Sequence, residues 1–231
     1  MKPKNKGLNF FNWILGNLVV CLGVCLSTKA NFGLSMIAAP AYAIHVFMRN
    51  IASWYTQGTS EYIFQAAVLI VTCLIIWRFK PKYLLSFLTA VMCGLMIDGW
   101  FLVLPGGNAV VENLVVRIIF FIVGAALISL GIAFVFRSTW PAQVYEMAVL
   151  ELSERFGFKR DRVKFVFDMI FLAMAIILAL LLNHSLTKSG INIGTVIVTF
   201  TNAPLIALFG KVIDWLEGTV FKAKMEEINA E

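Results

Sequence analysis

The sequence predicts an all-α integral membrane protein, with about six transmembrane helices in two inverted three-helix repeats, each carrying a short re-entrant or interfacial segment. Three observations predict this fold. Of the 231 residues, 60% are hydrophobic and only 14% are charged, whereas a soluble domain carries about 25% charged residues. Six apolar stretches reach the length of about 20 residues that a bilayer crossing needs. Finally, one stretch of the first half returns in the second.

The returning stretch is GNLVVCLGVCLSTK (16–29), which reappears as GAALISLGIAFVFR (124–137). Three pairs of residues keep one offset of 108 positions: Gly16 and Gly124, Gly23 and Gly131, and Lys29 and Arg137. Glycines seven apart on an apolar helix allow close helix packing. The offset predicts two copies of one unit within a single membrane domain (1–231), with repeat 1 over about 11–104 and repeat 2 over about 113–210.

The predicted crossings follow one another along the whole chain. They are, in order, 11–28, 61–78, 83–104, 113–135, 164–183 and 191–210. Two further apolar stretches, 33–49 and 140–155, are shorter and more polar, and they occupy matching places in the two copies. These two segments are too short to be assigned as crossings by length alone.

The distribution of charge decides how the two short segments are read, because short loops rich in Lys and Arg stay in the cytoplasm. Lys2, Lys4 and Lys6 place the N-terminus inside. With six crossings, the clusters at 78–82, 155–164 and 211–224 are cytoplasmic as well, and so is the tail 211–231, which could fold back as a short amphipathic helix. Eight crossings would force the 78–82 cluster outside, so six are favoured.

Three crossings per copy is an odd number, so the second copy must be inverted relative to the first. The segment 33–49 then opens from the outside and 140–155 from the cytoplasm. Paired re-entrant segments are typical of transporter binding sites, because non-helical backbone at membrane depth must be satisfied by protein or by a watery cavity. The alternative is that both segments are amphipathic helices lying in the interface.

Three stretches resemble the YczE/YitT-like family of bacterial multi-pass membrane proteins: GVCLSTKANFGLS (23–35), LLSFLTAVMCGLMID (84–98) and GINIGTVIVTFTNAPLIALFG (190–210). The first is similar to the family's G…K-A-D-L-G-x-S-P signature, with Asn31 in place of Asp and Met36 in place of Pro. The last is similar to G-x-G-T…G-P-x-I, with Ala203 in place of Gly. The resemblance implies six helices and the bacterial inner membrane, with both termini cytoplasmic, and it brings no substrate.

Ionisable residues inside membrane helices are candidates for function, since each costs a few kcal/mol unless it is paired or hydrated. Asp98 and Arg117 lie at similar depths below the outer ends of neighbouring helices in the sequence, which predicts an ion pair. Asp168 lies on the inner side near Arg137, and these two are a second candidate pair. Either pair has a structural alternative, in which it only holds helices together.

The candidate substrate-binding residues are the polar side chains of the two short segments, the repeat cations and the last crossing: Lys29, Asn31, Ser35, Arg137, Glu146, Asn192, Thr195, Thr199 and Asn202. Thr195, Thr199 and Asn202 share one helix face. Glu146 follows Pro141, a residue suited to the first turn of a helix, and it would face a cavity if that helix starts at membrane depth. On a wet interfacial face it would carry no role.

Lys29 and Arg137 each end the first helix of a copy, where a cation suits the negative end of the helix dipole. One hypothesis is that they are independent caps. The other is that Lys29 guards the outer approach to a cavity and Arg137 the inner approach, which would favour an anionic solute.

Several classes of function are not expected. The sequence has no HExxH, Walker or GxSxG motif, no metal-spaced Cys and His residues, and no implied cofactor, so an enzyme is not predicted. The four cysteines have no CxxC spacing and are typical of buried free thiols. The net charge of +6 comes from clusters between apolar runs, which sets topology and does not indicate nucleic acid.

The first functional hypothesis is a small-molecule or ion transporter that works by alternating access of the two halves. The alternative is a membrane accessory protein whose charged pairs are purely structural. Under either hypothesis the lipid bilayer is a partner. The further partner would be an unidentified solute, a second copy of the chain or another membrane protein.

Overall fold

A computed structural model describes residues 6–230. The regular structure of this range is entirely helical, and Lys2 and Lys4, which support a cytoplasmic N-terminus, lie outside it. The helices are α1 (Lys6–Ala30), α2 (Ala39–Met48), α3 (Gln57–Ile76), α4 (Lys82–Val103), α5 (Leu114–Arg137), α6 (Val144–Phe156), α7 (Arg160–Asn183) and α8 (Ile193–Ala230).

Six of these helices are long and apolar enough to cross a membrane, and each overlaps one predicted crossing. The prediction of six spanning helices is therefore confirmed at the level of helix length and composition. The helix α3 begins at Gln57, before the predicted start at residue 61, because Thr56 caps it. The Thr56 hydroxyl accepts a hydrogen bond from the backbone N–H of Thr59 at 3.0 Å, as an N-cap residue does.

The repeat glycines form the contact between α1 and α5. A Cβ atom at Gly16 would lie 2.8 Å from the carbonyl oxygen of Gly131, and one at Gly23 would lie 2.7 Å from that of Gly124. The two helices are antiparallel, because the earlier glycine of one meets the later glycine of the other. Since no side chain fits at this crossing, the helices pack backbone against backbone.

Both short helices begin deep among the long ones and return to the end from which the chain entered. The backbone N–H of Val144, at the start of α6, donates to Gln65 Oε1 near the middle of α3 at 3.1 Å. Glu151, further along α6, binds Lys80 in the turn between α3 and α4. The corresponding segment before α2 starts beside the same interior and leads out to Arg49.

The predicted ion pair between Asp98 and Arg117 is wrong, because each residue binds elsewhere. Asp98 accepts hydrogen bonds from the Thr56 hydroxyl at 2.6 Å and the Gly58 N–H at 2.9 Å. Arg117 donates to the carbonyl oxygens of Ala30 at 2.8 Å and Asn31 at 3.3 Å. The helix α5 packs on α1 and α8 rather than on α4, so equal depth did not make Asp98 and Arg117 neighbours.

The predicted pairing of Asp168 with Arg137 is corrected in the same way. Arg137 binds Asp214 at 2.6 Å, whereas Asp168 binds Lys164 at 3.4 Å on its own helix. The reason is that α8 continues without a break through Ala230, which carries Asp214 past the end of α5. The idea of a tail that folds back after residue 210 is therefore wrong for the described residues.

The six-crossing topology predicts which loops face which side. Cysteines introduced at Glu112 and Lys188 are expected to react with a bulky maleimide added outside intact cells, because both residues are exposed in loops at one end of the bundle. Cysteines at Lys80 and Arg155 should react only after permeabilisation. The unsubstituted protein is the control, since Cys21, Cys25 and Cys93 are buried. External labelling at Lys80 would require eight crossings.

The backbone contact of α1 and α5 predicts a sharp difference between two glycine substitutions. Gly23→Ala should lower stability by about 1–3 kcal/mol, because the added Cβ overlaps a carbonyl oxygen. Gly99→Ala in α4 is the matched control, with no atom within 4 Å of its added Cβ, and it should be neutral or stabilising. Thermal unfolding in detergent measures both. Equal effects would contradict the contact.

Candidate functional site

The candidate site is a cavity of about 100 Å³ between the two halves of the chain. Six of the helices and the segment before α2 contribute to its wall. Its polar lining residues are Asn17, Ser35, Glu61, Gln143, Tyr145, Glu146 and Asn202, beside the thiols of Cys21 and Cys93. Its apolar wall includes Ile128, Ile132, Val135 and Phe136 of α5.

Side chains of the long helices hold the start of α6 at this cavity. The carbonyl oxygen of Pro141 accepts hydrogen bonds from Trp13 Nε1 at 2.9 Å and from the Thr89 hydroxyl at 3.2 Å. Gln65 Oε1 accepts from the Val144 N–H, one of the N-terminal donors that lack a partner within a helix. The non-helical backbone is thus satisfied by protein, which is the condition for such backbone at membrane depth.

The segment before α2 is held at the cavity by the start of α8. The backbone N–H of Leu34 donates to the carbonyl oxygen of Gly190 at 2.9 Å, and that of Gly194 donates to Phe32 at 2.8 Å. Gly33 has a φ of 142°, and a Cβ there would overlap the backbone nitrogen of Thr195. Only glycine suits this position, and the crossing brings Ser35 to the cavity wall.

A hydrogen-bonded network joins α3 and α6 beside the cavity. Gln65 is fully buried, and its amide nitrogen donates to Glu61 Oε1 at 3.2 Å and to Gln143 Oε1 at 3.0 Å. The Tyr145 hydroxyl also donates to Glu61 Oε1, at 3.0 Å. Every polar atom of the Gln65 side chain is therefore engaged, and this one residue positions both Glu61 and the start of the half-helix.

The network reaches α1 through a thiol. Gln143 Nε2 donates to Cys93 Sγ at 3.3 Å, and Cys93 Sγ donates to Asn17 Oδ1 at 3.2 Å. Asn17 in turn donates to the carbonyl oxygen of Trp13 at 2.8 Å. These hydrogen bonds therefore connect α6 to α1, α3 and α4.

Glu146 is the second carboxyl group of the cavity. Its Oε2 atom is buried and has no hydrogen-bond partner. Burial raises the pKa of Glu146 above its usual value, and the charge of Lys164 on α7 opposes that shift. The lining carries two acidic side chains, Glu61 and Glu146, and no Lys, Arg or His.

Three of the nine candidate binding residues predicted from the sequence line the cavity, namely Ser35, Glu146 and Asn202. The others make contacts outside its wall. Asn31 ends α1 with a φ of 48°, and its carbonyl oxygen accepts from Asn192 Nδ2 at 2.8 Å. Thr195 accepts from the Asn192 N–H at 3.4 Å, and Thr199 donates to the carbonyl oxygen of Thr195 at 2.7 Å.

The repeat cations do not line the cavity. Lys29 is 3% exposed, and its ammonium group donates to the carbonyl oxygens of Pro105 at 2.9 Å, Gly107 at 2.7 Å and Ala109 at 3.1 Å. All three of its donors are used by the loop after α4. Arg137 binds Gly210 and Asp214 of α8. These contacts favour the structural role for both cations.

The sequence reasoning missed Glu61 and Asn17, and it did not select Gln143 or Tyr145 as candidates for binding. Glu61 is the first residue of the predicted crossing 61–78, so its charge falls at the predicted membrane boundary. The signal that could have found it is the threonine cap at position 56, because a helix starting there carries Glu61 and Gln65 on one face inside the apolar run.

The C-terminal half of α6 is anchored by Glu151, a carboxyl group that is held in its charged form. Glu151 is 2% exposed and accepts from Lys80 Nζ at 2.6 Å and from the Tyr83 hydroxyl at 2.7 Å, and it also pairs with Lys82. Burial alone would raise the pKa of Glu151, but the hydrogen bonds from Lys80, Lys82 and Tyr83 outweigh it and lower the pKa to about 2. Glu151 therefore fixes one end of α6 in charged form.

The comparisons with known proteins identify a family without an assigned activity. The family model described as "Family of unknown function (DUF6198)" matches residues 8–211. The chain therefore belongs to the DUF6198 family, and the resemblance to YczE/YitT-like proteins stays an expectation. Neither a curated protein nor a solved structure matches the chain.

The Glu151 anchor predicts a pH-dependent stability difference. Glu151→Gln should lower stability at pH 7 by about 2 kcal/mol, because three donors lose a charged acceptor. A carboxyl group with a lowered pKa stabilises fully above its unfolded pKa of 4.5 and loses that contribution as the pH falls towards about 2. The difference in melting temperature from wild type should shrink over that range. Glu154→Gln, an exposed change on the same helix, is the control, and a constant difference would contradict the anchor.

Proposed function

We propose that this member of the DUF6198 family transports a small solute across a membrane by alternating access, with the central cavity as the solute site. One observation carries the proposal: the segment before α2, at Ser35, and the start of α6, at Gln143, meet at a cavity between the two halves that is lined by both polar and apolar side chains. Discontinuous helices that meet between two halves of a chain are the usual construction of transporter binding sites.

The inverted relation of the halves is part of the proposal. The offset of 108 positions takes Gly16 to Gly124 and Gly131 to Gly23. The contact of Gly16 with Gly131 therefore corresponds to the contact of Gly124 with Gly23, and both contacts are present. The bond from Ser129 on α5 to Asn202 on α8 has a near counterpart in the bond from Cys21 on α1 to the carbonyl oxygen of Cys93 on α4, one residue before the position that the offset gives for Asn202. A two-fold axis in the membrane plane would produce these pairs.

The halves differ in one respect that supports alternating access. The helices α3 and α4 pack closely at Gly58 and Gly94, where either added Cβ would overlap a carbonyl oxygen of the other helix. The corresponding helices of the second half are α7 and α8, which do not pack on each other within the described residues. Val166 and Asn202 stand there in place of the two glycines, 108 positions later. A transporter of inverted halves is asymmetric in any one state, because each state opens one side only.

The proposal includes location and class. The six long helices would cross the bacterial inner membrane with both termini in the cytoplasm, and the working partners would be lipid and solute. The protein would need no cofactor, would bind no nucleic acid and would catalyse no reaction. An accessory role beside another membrane protein or a second copy remains the alternative that the experiment below addresses.

The buried thiols of Cys21 and Cys93 allow alternating access to be tested before the solute is known. Both line the cavity, so a charged methanethiosulfonate reagent can reach them only when the cavity opens. In proteoliposomes of uniform orientation, reagent added on either side should modify them, since the two states interconvert. The variant with both cysteines changed to Ser is the control. Modification from one side only, or from neither, would contradict transport and leave the accessory role.

A further inference from the structure

We propose that the solute of the central cavity is a small organic cation with N–H donors, such as an alkylammonium or guanidinium ion. This inference rests on the proposed function, because it takes the cavity as the solute site. It names a class of solute that the composition of the chain does not suggest, since the protein as a whole has a net charge of +6.

Charge is the first argument. Glu61 and Glu146 both line the cavity, and no basic side chain lines it with them. The charges of α7 that act on Glu146 are Lys164 and Asp168, which bind each other at 3.4 Å and lie outside the lining. The lining itself therefore supplies no cation, and a bound cation would balance its acidic side chains.

Hydrogen bonding is the second argument, and it separates N–H donors from simple cations. The buried Oε2 atom of Glu146 accepts no hydrogen bond from the protein, so it is free to accept one from a bound molecule. Glu146 also lies in the first turn of α6, where the helix dipole stabilises a negative charge. A bound ammonium or guanidinium group would supply the missing donor, and its charge would favour the ionised form of Glu146 against the effect of burial.

The structure gives less support to a metal ion. Zinc and calcium sites take four or more ligands, whereas the described residues contain no group of three or more His, Cys, Asp or Glu able to hold a metal ion. An organic cation requires fewer protein ligands than a metal ion. It needs one or two carboxylates together with polar neighbours, and Asn17, Ser35 and Asn202 supply these.

Size limits the class further. The cavity holds about 100 Å³, and a cavity of about 150 Å³ accommodates benzene. A cation of only a few non-hydrogen atoms therefore fits, such as methylammonium, ethylammonium or guanidinium. The apolar wall of α5 would contact the alkyl group of an alkylammonium ion.

Binding to the full-length protein in nanodiscs tests this inference with defined probes. Methylammonium and guanidinium should bind, measured by calorimetry. Tetramethylammonium carries the charge without an N–H donor, and acetate carries the opposite charge, so both should bind at least about tenfold more weakly, a difference of about 1.4 kcal/mol. Glu146→Gln should weaken methylammonium binding by the same factor or more.

The matched control is Glu112→Gln, the same change of carboxylate to amide in an exposed loop, which should leave binding unchanged. Glu61→Gln should also weaken binding, but it loses an acceptor of two hydrogen bonds and so risks misfolding. Glu146→Gln avoids this problem because Oε2 has no partner in the protein. Thermal unfolding confirms that each variant is folded.

Three results would overturn the inference: no binding of either probe, equal binding of tetramethylammonium, or methylammonium affinity unchanged by Glu146→Gln. Failure of the inference and failure of the transport proposal are distinguishable. Thiol modification from both sides without methylammonium binding rejects the cation alone. Methylammonium binding with thiols reached from one side only keeps the cation and rejects alternating access.

Discussion

The backbone contact between α1 and α5 is the constraint on which the rest of the structure depends. Gly16 and Gly23 meet Gly131 and Gly124 so closely that a methyl group would overlap a carbonyl oxygen. Helices in lipid gain little from apolar burial between them, so close packing and hydrogen bonds must hold them together. With α1 and α5 joined in this way, α4 packs on α1 and α8 on α5, and the cavity lies against the inner faces of this group.

The second requirement is that broken backbone inside the bundle must find partners. Hydrocarbon offers no hydrogen bonds, so each exposed N–H or C=O group at that depth would cost several kcal/mol. Buried amide side chains provide these partners, above all Gln65, which accepts a hydrogen bond from the start of α6 and donates one to Glu61. The same residues that stabilise the half-helix therefore form the polar face of the cavity.

The three basic residues at helix ends bind backbone groups and do not line the cavity. Lys29, Arg117 and Arg137 all donate to backbone carbonyl oxygens at the ends of helices or in loops. Such contacts satisfy the last carbonyl groups of a helix and suit the negative end of its dipole. These cations thus bind carbonyl groups at helix ends and in loops, while the interior carries carboxyl groups. The sign of the net charge consequently does not give the sign of the charged side chains in the interior.

The sequence by itself determined the class of the protein and the position of its spanning helices, because hydrocarbon thickness sets helix length and apolar composition is a local property. It also indicated Ser35, Glu146 and Asn202, since the two odd segments and the last crossing are visible as interruptions of apolar runs. Only the tertiary structure decided the partners of Asp98, Arg117, Lys29 and Arg137. Depth along a helix can be counted in residues, but the rotation of a helix and the choice of its neighbours depend on packing across the whole bundle. Glu61 joined Glu146 at one cavity for that reason, through contacts between residues more than eighty positions apart.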